Sequence, residues 1–348
     1  MKIELWGTYP PPIGGVTIHI CRLIYHLSEL DKSIILKNFG KRNNNQVSNV
    51  VNVRYTWLEF LKLPFSSKKL IHLHSNNWIS FLLILILGSK HRIGVTIHNK
   101  RFIKETSFFK CKIIKTFLNK ATFIIMNDEG YKNELISKFD CQPDIIHILP
   151  AFLPPVPFEY KGLDSDFMKF RKQHKFLMSA NAFQLKLENG IDVYGADLMI
   201  ELVLRLKKKN IDVGLVFCLP NIGNKEYYNL LLNKIKALDL GNNIMIAQKE
   251  ITNGFEIWEM SDLFLRPTST DMEGISVKEA LYCGTPAVVS NVCKRPDEAI
   301  LFESRDIEDF VSKVLMAYDM IKNKTKTDFI FNEDSISQIY EIYKSSLK

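Results

Sequence analysis

Short runs of β-branched and other apolar residues alternate along this chain with longer stretches in which apolar residues recur every three or four positions. That alternation predicts strand–helix crossover units and mostly parallel sheets, an α/β chain. In the first half the strand runs are Ile3 to Trp6, Leu70 to Leu73, Ile93 to Ile97, Ala121 to Met126 and Ile145 to Leu149. Helical spacing covers Val16 to Leu30, Trp78 to Leu87, Ser107 to Asn119 and Gly130 to Phe139. A second series of strands follows near Phe176 to Ser179, Val213 to Cys218, Ile244 to Ala247, Asp262 to Leu265 and Ala287 to Ser290, with helices such as Tyr194 to Lys209 and Lys225 to Leu238 between them. Two similar α/β units are implied. The tail from Ser335 to Leu347 places Ile336, Ile339, Tyr340, Ile342 and Tyr343 on one helical stripe.

Pro150, Pro154, Pro155 and Pro157 fall within eight residues, a stretch that can neither continue a helix nor pair in a central strand. The boundary between the units belongs there. We therefore expect an N-terminal domain over 1–155, a second over 156–330 and a separate tail helix over 331–348. No repeat of fixed period is visible, and Asn43, Asn44 and Asn45 after Lys41 and Arg42 read as a solvated loop.

The 348 residues are 46% hydrophobic, which fits a folded protein of two or three domains and excludes disorder and fibres. Charge changes the picture more. Residues 1 to 150 hold 21 Lys/Arg and 10 Asp/Glu, or +11, against 25 and 28, or −3, for the remainder. The first half should favour an anionic surface or ligand. No interleaving of aromatic and basic residues forms a nucleic-acid motif, so nucleic acid is not an expected partner. An anionic membrane face accounts for the excess more simply. Lys110, Lys112, Lys115 and Lys120 could line it, although a lysine stripe also describes an ordinary solvated helix.

The six cysteines are far apart, with no C-x-x-C pair and no zinc spacing, so reduced and mostly buried thiols are expected. The N-terminus, with Glu4 and then Pro10, Pro11 and Pro12, is no signal-peptide core. The longest apolar run, Trp78 to Leu87, is half the roughly 20 residues of a spanning helix. It reads as a core helix, with lipid contact as the alternative. A cytoplasmic protein, peripheral at a membrane's inner face at most, is the expectation.

In parallel α/β sheets ligands bind beyond the carboxyl ends of strands. After the first strand run, Gly14 and Gly15 open a helix and could let backbone N–H groups approach an anion at its positive end, though such a pair serves equally as a turn. There is no Walker motif and no G-x-G-x-x-G. His98 closes the run Ile93 to Ile97, where a neutral imidazole could bond a sugar hydroxyl or a developing charge. His72 and His74, two apart on one strand face, fit buried or edge positions as well.

The densest chemistry runs from Leu265 to Ser290. A strand ends at Arg266, a polar loop follows, Gly274 permits close approach, and a helix runs from about Ile275 to Cys283 until Gly284 and Pro286 stop it. First-turn amides around Gly274, Ile275 and Ser276 form an anion site. Asp271 precedes this helix and Glu279 lies within it, so both carboxylates can face one pocket and accept paired bonds from vicinal hydroxyls.

This segment resembles the signature of retaining GT-B glycosyltransferases of glycosyltransferase family 4, also called glycosyl transferases group 1. There an acidic residue, seven others and a Glu precede a Gly-Thr-Pro turn; here Asp271 stands in place of the usual first Glu, followed by Glu279 and Gly284-Thr285-Pro286. Gly14-Gly15-Val16, leading into a helix with His19, Arg22 and Leu23, is similar to the family's opening, and Val95 to His98 to its strand with a ligand-facing His. The resemblance implies two Rossmann-like, doubly wound domains facing each other across a cleft, with the tail helix crossing back to the first. It also implies that Glu279 holds a nucleotide ribose, that Asp271 and His98 contact the donor sugar, and that Gly274, Ile275 and Ser276 give it or its phosphates backbone donors. Gly15, beside Gly14, would approach the diphosphate, and contacts near Gln248 to Thr252 would set the nucleobase. Where the family presents Arg and Lys after the second domain's first strand, this chain offers Lys186, with Arg266 as a second positive charge. A solvated loop for Lys186 and a surface ion pair for Arg266 are the alternatives.

The implied function is transfer of a sugar from a nucleotide-diphosphate donor to a hydroxyl of a glycan, lipid-linked by analogy, in surface polysaccharide assembly. Front-face attack is expected, with no cofactor and no metal, since no Asp-x-Asp cluster lies in a suitable loop. A nucleotide-sugar epimerase on the same scaffold, or a non-catalytic glycan-binding subunit, are the competing readings.

Overall fold

The computed structural model describes residues 2–12, 14–40, 49–248, 253–271, 273–323 and 334–347. The triple asparagine at 43–45 and residues 249–252 of the expected base contact lie outside them. The chain forms two compact units, one made of Met1–Leu153 with Glu333–Lys348, the other of Pro154–Asn332.

The first unit is built on β1 (Lys2–Gly7), β2 (Ile35–Asn38), β3 (Val50–Asn52), β4 (Lys69–Leu73), β5 (Arg92–Thr96), β6 (Phe123–Met126) and β7 (Ile146–Ile148). They form one parallel sheet in the order β3-β2-β1-β4-β5-β6-β7. Its helices are α1 (Gly15–Leu30), α2 (Thr56–Leu61), α3 (Trp78–Leu87), α4 (Arg101–Lys104), α5 (Phe108–Lys120) and α6 (Glu129–Phe139). Strand order reverses between β1 and β4, the switch point at which open sheets leave a crevice for ligands. Apolar stripes on α3 and α5 bring Phe81 and Phe117 into a stack with centroids 3.9 Å apart. The run Trp78 to Leu87 is thus a half-buried helix, since Phe81 and Ile84 are buried while Ile79 and Ile86 stay exposed.

The second unit repeats the plan. After α7 (Ser165–Gln173) come β8 (Phe176–Asn181), the short strands β9 (Gln184–Leu185), β10 (Leu187–Glu188) and β11 (Ile191–Asp192), and α8 (Ala196–Lys208). Then follow β12 (Val213–Cys218), β13 (Asn221–Gly223), α9 (Lys225–Ala237), β14 (Ile244–Ala247), α10 (Gly254–Met260), β15 (Leu263–Arg266), α11 (Ile275–Tyr282), β16 (Ala287–Ser290), β17 (Ile300–Phe302) and α12 (Ile307–Lys322). The main sheet is parallel, β14-β12-β8-β15-β16-β17, with its switch point between β8 and β15. β10 and β11 pair as a hairpin.

The tail forms α13 (Ser335–Leu347) and belongs to the first unit. Ile339 and Tyr343 join the core under α1 and β4, and the Tyr343 hydroxyl meets His72 Nδ1. The far nitrogen of His72 meets the Thr96 hydroxyl at 2.7 Å, so a buried polar chain fastens the tail to β4 and β5.

Candidate functional site

In the second unit the switch point is occupied by charge. Leu265 of β15 lies beside Ala180 of β8, so the residues ending these strands, Arg266 and Asn181, emerge together. Arg266 donates from Nη1 to the Asn181 carbonyl at 3.2 Å and to its side-chain oxygen at 3.1 Å. Its other edge grips Asp271, Nε to Oδ2 at 3.0 Å and Nη2 to Oδ1 at 3.2 Å. This two-pronged geometry is what the guanidinium fork favours.

A second arginine completes the arrangement. Arg295, in the loop after β16, has a side chain that is 0% exposed and donates from Nη1 to Asp271 Oδ2 at 2.9 Å. Its remaining donors reach the Ser290 carbonyl at 3.0 Å and the Thr268 hydroxyl at 3.2 Å. Burial alone would raise the Asp271 carboxyl, but the Arg266 and Arg295 guanidiniums outweigh it and hold the group at about 2.

Gly274 follows with φ +68°, the left-handed conformation that glycine adopts without strain. A Cβ here would also stand 2.5 Å from Arg295 Nη1. The residue caps α11, whose first amides, those of Ile275 and Ser276, have no partner inside the helix by its geometry. Lys278 and Glu273, both largely buried, pair at 2.8 Å beneath that turn. Glu279 takes a bond of 3.4 Å from the Trp258 indole of α10. The two expected carboxylates thus have different neighbours, Asp271 the two arginines and Glu279 the tryptophan.

Placement of the expected cations differs from a free diphosphate clamp. Arg266 is engaged by Asp271 and Asn181. Lys186 sits between β9 and β10 with its amino group on Glu188, and its side chain is 54% exposed. Arg295 had no place in the sequence reading; its position just past the end of a parallel strand was the available signal, because that is where such sheets collect functional groups.

In the first unit, the N–H of Gly14 is taken by the Thr17 hydroxyl at 3.0 Å, which itself donates to the Pro12 carbonyl at 2.8 Å. That leaves Gly15 as the open position, with no atom within 4 Å of an added Cβ. Four imidazoles gather at the ends of β4 and β5 and on α1: His72, His74, His98 and His19. His98 Nε2 and His74 Nδ1 are 3.1 Å apart, and the His19 ring stands edge-on to His98 at 5.2 Å. His19 Nδ1 meets the Ala151 carbonyl at 3.0 Å. Burial, with the neighbouring His19, depresses His98 to about 3, and burial with the surrounding rings holds His72 and His74 well below the usual histidine value. His72, His74 and His98 are therefore neutral rings, each able to donate from one nitrogen and accept at the other.

Among the described residues no group of three or more His, Cys, Asp or Glu could hold a metal ion. No helix among them is long and apolar enough to cross a membrane.

The chain resembles solved structures over nearly its whole length. The Anabaena protein HepE, crystallised in complex with UDP, superposes with a TM-score of 0.66 at 14% identity, covering 99% of this chain and 100% of that one. A glycosyltransferase from Rickettsia africae gives 0.66 at 14% identity, covering 100% and 99%. Sucrose-phosphate synthase from Thermosynechococcus elongatus gives 0.66 at 12% identity with the same coverage. At such identities these relatives share the fold. A comparison with curated protein sequences finds no match. Residues 171–328 match the family described as Glycosyl transferases group 1. The second unit therefore carries a glycosyl transferases group 1 domain, and that domain on a GT-B-like fold indicates a glycosyltransferase.

Proposed function

We propose that the protein is a retaining glycosyltransferase that takes a sugar from a nucleoside-diphosphate donor and places it on a glycan hydroxyl. The observation that carries this is the second unit's switch point, where Gly274 opens the positive end of α11 beside an aspartate locked between Arg266 and Arg295. Helix amides there suit a diphosphate, and Glu279, one turn on, suits a ribose. UDP is the favoured nucleotide, since the fold relative HepE crystallises with UDP, with UDP and glucose, and with UDP-glucose.

Neither Asp271 nor Glu279 acts as a nucleophile on this reading. The acceptor oxygen attacks the anomeric carbon on the face the diphosphate is leaving, its proton passes to the departing phosphate oxygen, and fixed dipoles and cations carry the negative charge that develops. His98, as a neutral ring, serves the donor sugar from the first unit, and Gly15 leaves room for the donor there. Asp271, held in place by two arginines, contacts a hydroxyl of the donor sugar.

The acceptor is a lipid-linked glycan in surface polysaccharide assembly, met at an anionic membrane. Support comes from α5, where Phe108 is 84% and Phe109 60% exposed beside Lys110, Lys112 and Lys115. Thermal denaturation against a panel of nucleotide sugars tests the donor: UDP-sugars should raise the second unit's transition and the Glu279→Gln protein should lose most of that shift. No shift with any nucleotide sugar would refute the reading.

A further inference from the structure

A nitrogen pair links the histidine cluster to the ring assigned to the donor sugar, and its proton position can be worked out. His74 Nδ1 and His98 Nε2 are 3.1 Å apart, so one of them donates. The other nitrogen of His74, Nε2, is buried and has no partner among the described residues. His72, whose ring lies 4.3 Å from that of His74, has both nitrogens engaged, by Tyr343 and by Thr96.

Four protonation patterns are open to the pair, and one of them, a doubly protonated His98, buries a charge that desolvation and the neighbouring His19 oppose. A doubly protonated His74 would bury a charge among other imidazoles, and burial with the neighbouring rings opposes this. If His98 donated from Nε2, neutral His74 would carry its own proton on Nε2 as a buried N–H pointing at no acceptor, the rarest kind of orphan in folded proteins. If His74 donates from Nδ1, its Nε2 is left as a bare lone pair, and every N–H of the pair has either a partner or solvent access. The Ala151 carbonyl imposes the same Nδ1-protonated form on His19.

We infer that His74 is a positioning residue that fixes the tautomer of His98: the Nδ1–H of His74 occupies His98 Nε2, and His98 is left with its own proton on Nδ1. His98 then meets the donor sugar as a hydrogen-bond donor through Nδ1 and cannot act as a base through Nε2. This rests on the reading of His98 as the donor-facing ring. Its chemical content is that the acceptor's proton goes to the leaving diphosphate and not to the imidazole. His74 acts by orientation, as the partner of a ligating imidazole does elsewhere.

The test reads the tautomer directly. Nitrogen-15 NMR of histidine-labelled protein without ligand, with His98 assigned by its loss in His98→Gln, should show a protonated Nδ1 and a bare Nε2. In His74→Asn the side-chain amide replaces the lost N–H, and both the His98 pattern and turnover should stay close to those of the native protein. In His74→Phe the ring shape remains but the donor is gone; the His98 pattern should become mixed and kcat should fall about tenfold or more with little change in donor KM. A native His98 protonated on Nε2 overturns the inference, as does an equal loss of kcat in both variants with the His98 pattern unchanged. Because the NMR measurement involves no nucleotide, it stands whether or not the donor reading does.

Discussion

Replacing Asp271 with Asn removes one negative charge from between two guanidiniums and keeps the shape. In the folded protein this carboxyl lies at about 2, against an ordinary value near 3.8. At about 1.4 kcal/mol per tenfold change in proton affinity, the gap is worth about 2 kcal/mol of stability in the ionised form. Screening removes little of it, because the side chain is only 11% exposed and Arg295 is fully buried. The sign follows from the folded value lying below the unfolded one. The contribution is complete above the unfolded value near 4, shrinks as pH falls from there, and is gone below about 2. Native and Asp271→Asn proteins should therefore differ by roughly 2 kcal/mol in urea unfolding of the second unit at pH 7, and the difference should narrow between pH 4 and pH 3. A difference that stays constant over that window, or one below about 0.5 kcal/mol at pH 7, would refute the assignment of Asp271 as the carboxylate held by Arg266 and Arg295.

Three further outcomes are expected. Tyr343→Phe leaves His72 Nδ1 buried without its hydroxyl partner and should cost the first unit about 1 to 3 kcal/mol, measured by chemical denaturation, without altering UDP affinity. Gly94→Ala should be more damaging, because its Cβ would fall inside the Phe123 ring; a strong drop in the first unit's unfolding midpoint or a loss of soluble protein is the result to look for. Phe108→Ser with Phe109→Ser should weaken flotation with vesicles containing anionic lipid while leaving UDP binding intact, and unchanged flotation would remove α5 from the membrane-facing surface.

Much of the fold was legible because parallel strands buried on both faces are continuous apolar runs. Val213–Cys218, Ile244–Ala247 and Ala287–Ser290 are strands over the very residues the pattern marks. Val50–Asn52 and Ile300–Phe302 escaped notice for the opposite reason: they are three-residue edge strands, partly exposed, with too little apolar periodicity to register. At the site, the Asp271 to Glu279 spacing is local and could be read directly. The grip of Arg295 on Asp271 spans 24 positions and depends on where β15 and β16 end side by side, and His74 meets His98 because β4 pairs with β5. Such contacts are products of sheet register, which no local pattern encodes. Lys186 illustrates the converse: a cation in a suitable part of the sequence pairs with Glu188 two residues away, a local contact that the charge pattern alone does not fix.

The tail helix has a practical consequence for anyone recombining this enzyme with its relatives. Residues 154–332 are an insert in the topological sense, because the polypeptide leaves the first unit at Leu153 and returns to it at Glu333 to deliver Ile339 and Tyr343 to that unit's interior. A chimera spliced once, at Pro154, would give the head of one parent the tail of the other and misfit the buried Tyr343 against a foreign β4. Exchange of the second unit calls for two splices, transplanting the middle segment as a cassette and leaving both ends of the host chain in place.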